Sequence, residues 1–134
     1  MCIRDRAINV HSCVNAPTQL AGLEALQGPQ EAVAHMAQAF EARRDLVMDR
    51  LAALPQIQVP QPKGAFYAFA EFDVAGLSAE EMQNQLLEDQ GVALIAGTSF
   101  GAQARRSLRL SFANSKENIE EALERIEAWI ASKG

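Results

Sequence analysis

The sequence predicts an α/β chain of the α+β layer type: a small sheet with helices packed on one face. Three observations predict it. Ser107-Leu108-Arg109-Leu110-Ser111-Phe112-Ala113 alternates with a period of two, so Leu108, Leu110 and Phe112 share one face and Arg109, Ser111 and Ala113 the other. Two stretches, Pro29 to about Leu54 and Ile119 to Ile130, carry apolar residues at helical spacing. Between them, short apolar runs are punctuated by prolines and glycines, which suits strands and turns.

The 134 residues suffice for one domain with a core, and 49% apolar content excludes a disordered chain. The net charge is −5 and the basic residues are scattered, which argues against a nucleic-acid surface. No apolar run approaches the ~18 residues of a membrane span. Cys2 and Cys13 have neither metal nor redox spacing and make no disulfide scaffold, so a reducing cytoplasm is the expected compartment. His11 and His35 stand far apart without carboxylate-rich neighbours, and no metal site is expected.

Taken in order, Met1 to Arg6 lacks the apolar core of a signal peptide and is unlike the rest of the chain. It reads as a scar or an arbitrary start and is set aside. Ile8 to Asn15 is mixed and weakly extended. Pro17 or Thr18 starts a helix with Leu20, Leu23 and Leu26 on one stripe, ending by Gly28. Pro29 opens the longest helix. Val33, Ala37, Phe40, Val47, Leu51 and Leu54 keep helical spacing, Arg44 interrupts it, Glu31 and Arg50 suit its two ends, and Pro55 stops it. Its length of roughly 37 Å leaves two readings open: a bridge between domains, or a long surface helix.

Three prolines between Pro55 and Lys63 allow no more than an edge strand at Gln56 to Val59. After a Lys63-Gly64 turn, Ala65 to Ala70 reads as a strand apolar on both faces, hence buried on both. Ser78 and Glu81 form a capping box for a helix to about Gln90, with Met82, Leu86 and Leu87 inward and Gly91 as terminator. Val92 to Ile95 is a short strand, and Ala96 to Gly101 a loop with two glycines. Asn114 and Glu117 suggest a second capping box, for a helix that buries Ile119, Leu123, Ile126 and Ile130.

Arg109 is the candidate functional residue. Its planar fork of donors matches a carboxylate or phosphate, and it sits on a strand between apolar and small neighbours. A solvated strand arginine is the plain alternative. Arg105 and Arg106 fall in the preceding turn and are expected to be solvated.

Four stretches, in order, carry a family resemblance: Asn15-Ala16-Pro17-Thr18-Gln19-Leu20-Ala21-Gly22-Leu23, Pro62-Lys63-Gly64-Ala65-Phe66-Tyr67, Gly91-Val92-Ala93-Leu94-Ile95-Ala96-Gly97-Thr98-Ser99-Phe100-Gly101, and Leu108-Arg109-Leu110-Ser111-Phe112-Ala113 with the helix after it. Together, over about residues 9 to 132, they resemble the C-terminal third of class I/II pyridoxal-phosphate-dependent aminotransferases, close to the aspartate aminotransferase-like branch. The resemblance implies that residues 7–28 end a large cofactor domain. It implies that 29–134 form the small C-terminal domain, with 29–54 as an interdomain helix. It gives Arg109 the grip on the substrate's α-carboxylate, facing the cleft between domains. It brings Ser12 to Pro17 towards the neighbouring subunit's active site and makes Asn15 a second substrate-binding candidate. Gly64 would permit the turn before a buried strand, and Gly97 and Gly101 a loop passing close to ligand. The family usually has proline where this chain has Ala96, which loosens the loop.

The complete enzyme would use pyridoxal 5'-phosphate to move an amino group between an amino acid and a 2-oxo acid, as a homodimer. Lyases, decarboxylases and synthases share the fold type. The aldimine-forming lysine, the aspartate on the pyridine nitrogen and the phosphate-holding residues would precede residue 9. Lys63, Lys116 and Lys133 lie in no serine-containing motif of that kind. The expectation is therefore a fragment, inactive alone and prone to self-association, with no catalytic, cofactor-binding or metal-binding residue of its own. The other reading is a free-standing α+β ligand-binding or regulatory domain that uses Arg109 for an acidic metabolite.

Overall fold

Alternation in the arginine stretch becomes β4 (Ser107–Ser111), with Leu108 and Leu110 buried, Arg109 half-buried and Ser111 exposed. In this computed structural model, which describes residues 2–74 and 76–133, β4 is one of the two inner strands of a four-stranded sheet. Met1, expected in the leading segment, and Ala75 and Gly134, expected in the C-terminal domain, lie outside the described residues. Strand β2 (Tyr67–Phe72) pairs antiparallel with β4 from Tyr67 opposite Ser111 to Glu71 opposite Ser107. Strand β3 (Ile95–Ala96) flanks β4 on its other side, and β1 (Ile57–Gln58) closes the far edge of β2. Both β2 and β3 run antiparallel to β4, so they are parallel to each other. Helix α4 (Ala79–Gln90) joins them, which makes a split β-α-β unit with β4 inserted.

One face of this sheet is covered. Ala68, Ala70, Phe72, Leu108, Leu110 and Phe112 form a single core with Met82 and Leu86 of α4. Ile119, Leu123, Ile126, Trp129 and Ile130 of α5 (Lys116–Ala131) join it, as do Val47 and Leu51 of α3 (Glu31–Ala52). Each buried leucine or isoleucine contributes about 1.5–3 kcal/mol. Arg50 of α3 makes a two-bond pair with Glu127 of α5, at 2.7 and 2.9 Å. That hydrogen bonding holds the Glu127 carboxyl below the ordinary carboxylate range and raises Arg50.

Local chemistry departs from the sequence expectations at several points. Of Ile8 to Asn15, expected to be weakly extended, Ile8 to His11 is helical: α1 (Ile3–His11) covers it, started by Asp5, whose carboxylate accepts the Cys2 N–H at 3.1 Å, while Ser12 to Asn15 lie outside any helix and Asn15 is extended. The next helix, α2 (Ala16–Gln27), begins before Pro17 because Asn15 caps it. No residue of α1 or α2 is buried, and Leu20, Leu23 and Leu26 stand exposed. Helix α3 starts at Glu31 rather than Pro29. Strand β2 is buried on one face, not both, because helices cover only that face; Tyr67 is half-buried and Phe69 exposed. Leu87 is likewise exposed, not inward. Of Val92 to Ile95 only Ile95 joins the sheet, although Val92 and Leu94 are buried.

Ser115, not Asn114, caps α5, its hydroxyl accepting the Asn118 N–H at 3.2 Å, while Asn114 accepts from Ser115 N–H and the Asn118 side-chain amide. The Ser78–Glu81 box and the left-handed Gly91 terminator form as expected. In the turn before β2 the left-handed residue is Ala65, at φ 59°, and not Gly64. The chain divides into two compact units between His35 and Met36.

Candidate substrate-carboxylate site

Arg109 is opposite Phe69 on β2 and Ile95 on β3. The pleat therefore puts all three on the face that the helices leave bare. Its guanidinium carbon lies 4.3 Å from the ring centroid of Tyr67 and 4.6 Å from that of Phe100. Phe100 ends a short 3-10 turn, Gly97–Phe100, and meets Phe69 edge-on at 6.0 Å. Each cation–aromatic contact contributes about 0.5–1 kcal/mol at an exposed site, more when desolvated. Both rings lie within cation–aromatic reach of the guanidinium. Among the described residues no carboxylate pairs with it.

Arg43 also lies over a ring, that of Phe40 at 5.4 Å, but several other arginines differ. Arg106 bonds Glu71 at 2.9 Å and Asp73 at 2.8 Å, so its fork is already occupied. Arg106 is exposed, as expected, and in addition ties the start of β4 to the end of β2. Arg44, Arg50 and Arg125 each pair with a carboxylate too. Arg105 keeps to the turn, donating to the Ala102 carbonyl. An arginine fixed by a strand, stacked on aromatic rings and unpaired is a receptor for a planar anion.

Gly97 also has a use in the packing of the turn. A Cβ there would meet Ala104 O at 2.7 Å, Ala104 Cβ at 2.8 Å and Ser107 O at 2.8 Å. The glycine lets the 3-10 turn pack against the chain entering β4, so it shapes the Phe100 wall from behind. Gly101 has φ 156° and open space around it. Sequence reasoning missed Tyr67 and Phe100 as walls of the site. The signal available was the aromatic pair Phe66-Tyr67 on a strand that could pair with the arginine strand.

Asn15 serves α2 as its cap, Oδ1 accepting the Thr18 N–H at 2.9 Å. The lysines do not fit a cofactor aldimine, which needs a desolvated amine. Lys63 is exposed, Lys116 pairs with Glu120 at 3.6 Å, and Lys133 lies over the Trp129 ring. These lysines thus make no aldimine anchor for pyridoxal phosphate. No group of metal-ligating side chains occurs among the described residues, and no helix there is long and apolar enough to cross a membrane.

The family profile for aminotransferase class I and II matches residues 2–126. The aspartate aminotransferase of Pyrococcus horikoshii is 42% identical over 111 residues, which are 81% of this chain and 28% of that protein. That of Bacillus sp. strain YM-2 is 39% identical over 127 residues, 90% of this chain and 32% of that protein. Among solved structures, alanine aminotransferase from Pyrococcus furiosus superposes with a TM-score of 0.88 at 29% identity, covering 96% of this chain and 33% of that one. An aromatic aminotransferase from Pyrococcus horikoshii gives 0.87 at 30%, covering 96% and 35%. The chain thus spans about a third of the length of these relatives, in their C-terminal part. With its open sheet face built round Arg109, the chain belongs to the class I and II aminotransferase family and has the fold of the family's small C-terminal domain.

Proposed function

We propose that this chain supplies the substrate-carboxylate clamp of a pyridoxal-phosphate-dependent aminotransferase, and that Arg109 is the clamp. The observation that carries the reading is the guanidinium held over Tyr67 and Phe100 with no carboxylate partner among the described residues. A carboxylate arriving in the guanidinium plane takes two parallel N–H···O bonds, and hydrogen bonds to charged groups contribute about 1.5–3 kcal/mol each. The strand fixes the arginine's backbone, so that grip also orients the rest of the substrate.

The complete protein moves an amino group between an amino acid and a 2-oxo acid, in the cytoplasm and as a homodimer. Pyridoxal 5'-phosphate is the electron sink, held by residues other than the described ones. Residues 7–28 belong to the end of the cofactor domain and 29–134 to the small domain, with the long helix between domains. Asn15 would reach substrate through its side-chain N–H donors, since its oxygen is used in the cap. The relatives' names span aspartate, alanine and aromatic substrates, so the amino acid's side chain is left open. The 134-residue chain alone is inactive in this reading.

The test is Arg109→Lys in the complete protein, which keeps the charge and loses the fork. It lowers kcat/KM for the amino acid by at least on the order of tenfold, with cofactor binding nearly unchanged. An intact kcat/KM would return Arg109 to the ordinary strand arginines.

A further inference from the structure

Phe100 is placed over Arg109 by a weakly rooted segment. Strand β3, which leads into its turn, has two residues, and so short a strand holds little by itself. A brace comes from α4. Gln83 Oε1 accepts the Ala96 N–H at 2.7 Å. On the same helix face, one turn nearer the N-terminus, Glu80 accepts the Thr98 hydroxyl. Ala96 and Thr98 straddle Gly97, so two side chains of α4 hold the root of the turn that ends in Phe100.

We propose that Gln83 is a positioning residue: by holding Ala96 it sets Phe100 over the Arg109 guanidinium and fixes the plane in which a carboxylate is received. The consequence for substrate rests on the clamp reading of Arg109; the positioning itself does not.

The backbone at Ala96 makes the proposal sharp. Ala96 has φ −58° and ψ 133° and follows an extended residue, Ile95. Proline adopts that conformation without strain. A proline there would need no partner for a missing N–H and would stiffen the root of the turn by itself. Its ring carbon would also enter the space between the backbone nitrogen and Gln83 Oε1, which are only 2.7 Å apart. Gln83 in this rotamer and a proline at this position therefore exclude each other, whereas alanine at 83 leaves room for the ring.

The experiment is a nuclear magnetic resonance comparison of the Arg109 side-chain signals in the 134-residue chain. In the wild type, the ring currents of Tyr67 and Phe100 displace the Arg109 δ-proton signals from their random-coil positions. Gln83→Ala should move them back a large part of the way; Gln83→Glu, which keeps an acceptor oxygen, should not. Gln83→Ala combined with Ala96→Pro should restore the displaced signals, while Ala96→Pro alone should disturb them. If Gln83→Ala fails to fold, the double variant decides: recovery of fold and signals supports the brace, and continued failure overturns it. Unmoved Arg109 signals in a folded Gln83→Ala overturn it as well.

In the complete protein, Gln83→Ala should raise the amino-acid KM roughly threefold to tenfold with kcat within about twofold, because substrate binding is what it loosens. Arg109 signals that move in Gln83→Ala, with kcat/KM intact in Arg109→Lys, leave the positioning standing and remove the clamp reading. A damaging Arg109→Lys with unmoved signals in Gln83→Ala does the reverse.

Discussion

Tyr67 and Arg109 are diagonal neighbours across the β2–β4 pair, and the guanidinium carbon lies 4.3 Å from the tyrosine's ring centroid. The contact orients a charged group that no carboxylate among the described residues restrains. Tyr67→Leu in the complete protein should raise the amino-acid KM roughly fivefold, the equivalent of one lost cation–aromatic contact. An unchanged KM would mean that the ring does not hold the guanidinium in its working orientation.

Arg106 is the control for Arg109. Its pairs with Glu71 and Asp73 are half-exposed or more, and such pairs contribute about 0–1 kcal/mol. Arg106→Lys should leave kcat/KM within about twofold of the wild type. A larger loss than that of Arg109→Lys would move the clamp to Arg106.

Gly97→Ala should be costly and Gly64→Ala cheap. The first Cβ would sit 2.7 Å from the Ala104 carbonyl oxygen, whereas the second would meet nothing within 4 Å. Overpacking of this kind costs about 1–3 kcal/mol. Thermal denaturation of the two variants side by side checks the difference; equal melting temperatures would show that the turn yields without penalty.

Two backbone positions have opposite needs. Gly91 ends α4 at φ 65°, so Gly91→Ala should destabilise by about 1 kcal/mol. Ala65 sits at φ 59° without being glycine, so Ala65→Gly should stabilise by a comparable amount, about 0.5–1 kcal/mol. Chemical denaturation curves read both signs.

The Arg50–Glu127 pair predicts a pH dependence. Glu127's folded pKa lies below its ordinary value of 4.5. Its contribution is therefore present in full above that value and is lost as pH falls through the folded one. Glu127→Gln should lower the melting temperature at pH 7, by an amount corresponding to about 1 kcal/mol. The gap from wild type should close as pH falls below 4.5. A gap that persists at low pH would assign the loss to packing rather than charge.

Much of this architecture is legible in the sequence because period and punctuation coincide. The alternation around Arg109, the Ser78–Glu81 box, the Gly91 stop and the inward face of α5 come from side-chain spacing alone, and each is present. What escapes depends on covering. Nothing in Ala65 to Ala70 tells whether the sheet has helices on one side or two, so the pattern places Phe69 in an interior that does not exist. Leu87 is misplaced for the same reason. Helix α1 escapes because its signal is a single carboxylate turning back on Cys2 N–H, in a stretch without apolar periodicity. Arg109 stands out from its neighbours, but its aromatic walls come from β2 and from a turn, and only the strand register brings them together.

The split β-α-β arrangement has a consequence for how the chain acquires its structure. The strand bearing Tyr67 and the strand bearing Arg109 are separated in sequence by α4, β3 and the 3-10 turn, yet they lie side by side in the sheet. Pairing them requires a long loop to close before the contacts it permits can repay the lost chain entropy. Such non-local pairing slows folding relative to helix formation. Stacking of Tyr67 on Arg109 is thus expected to appear late in refolding, after the helices have formed, and it would serve as a spectroscopic clock for the closure of the sheet.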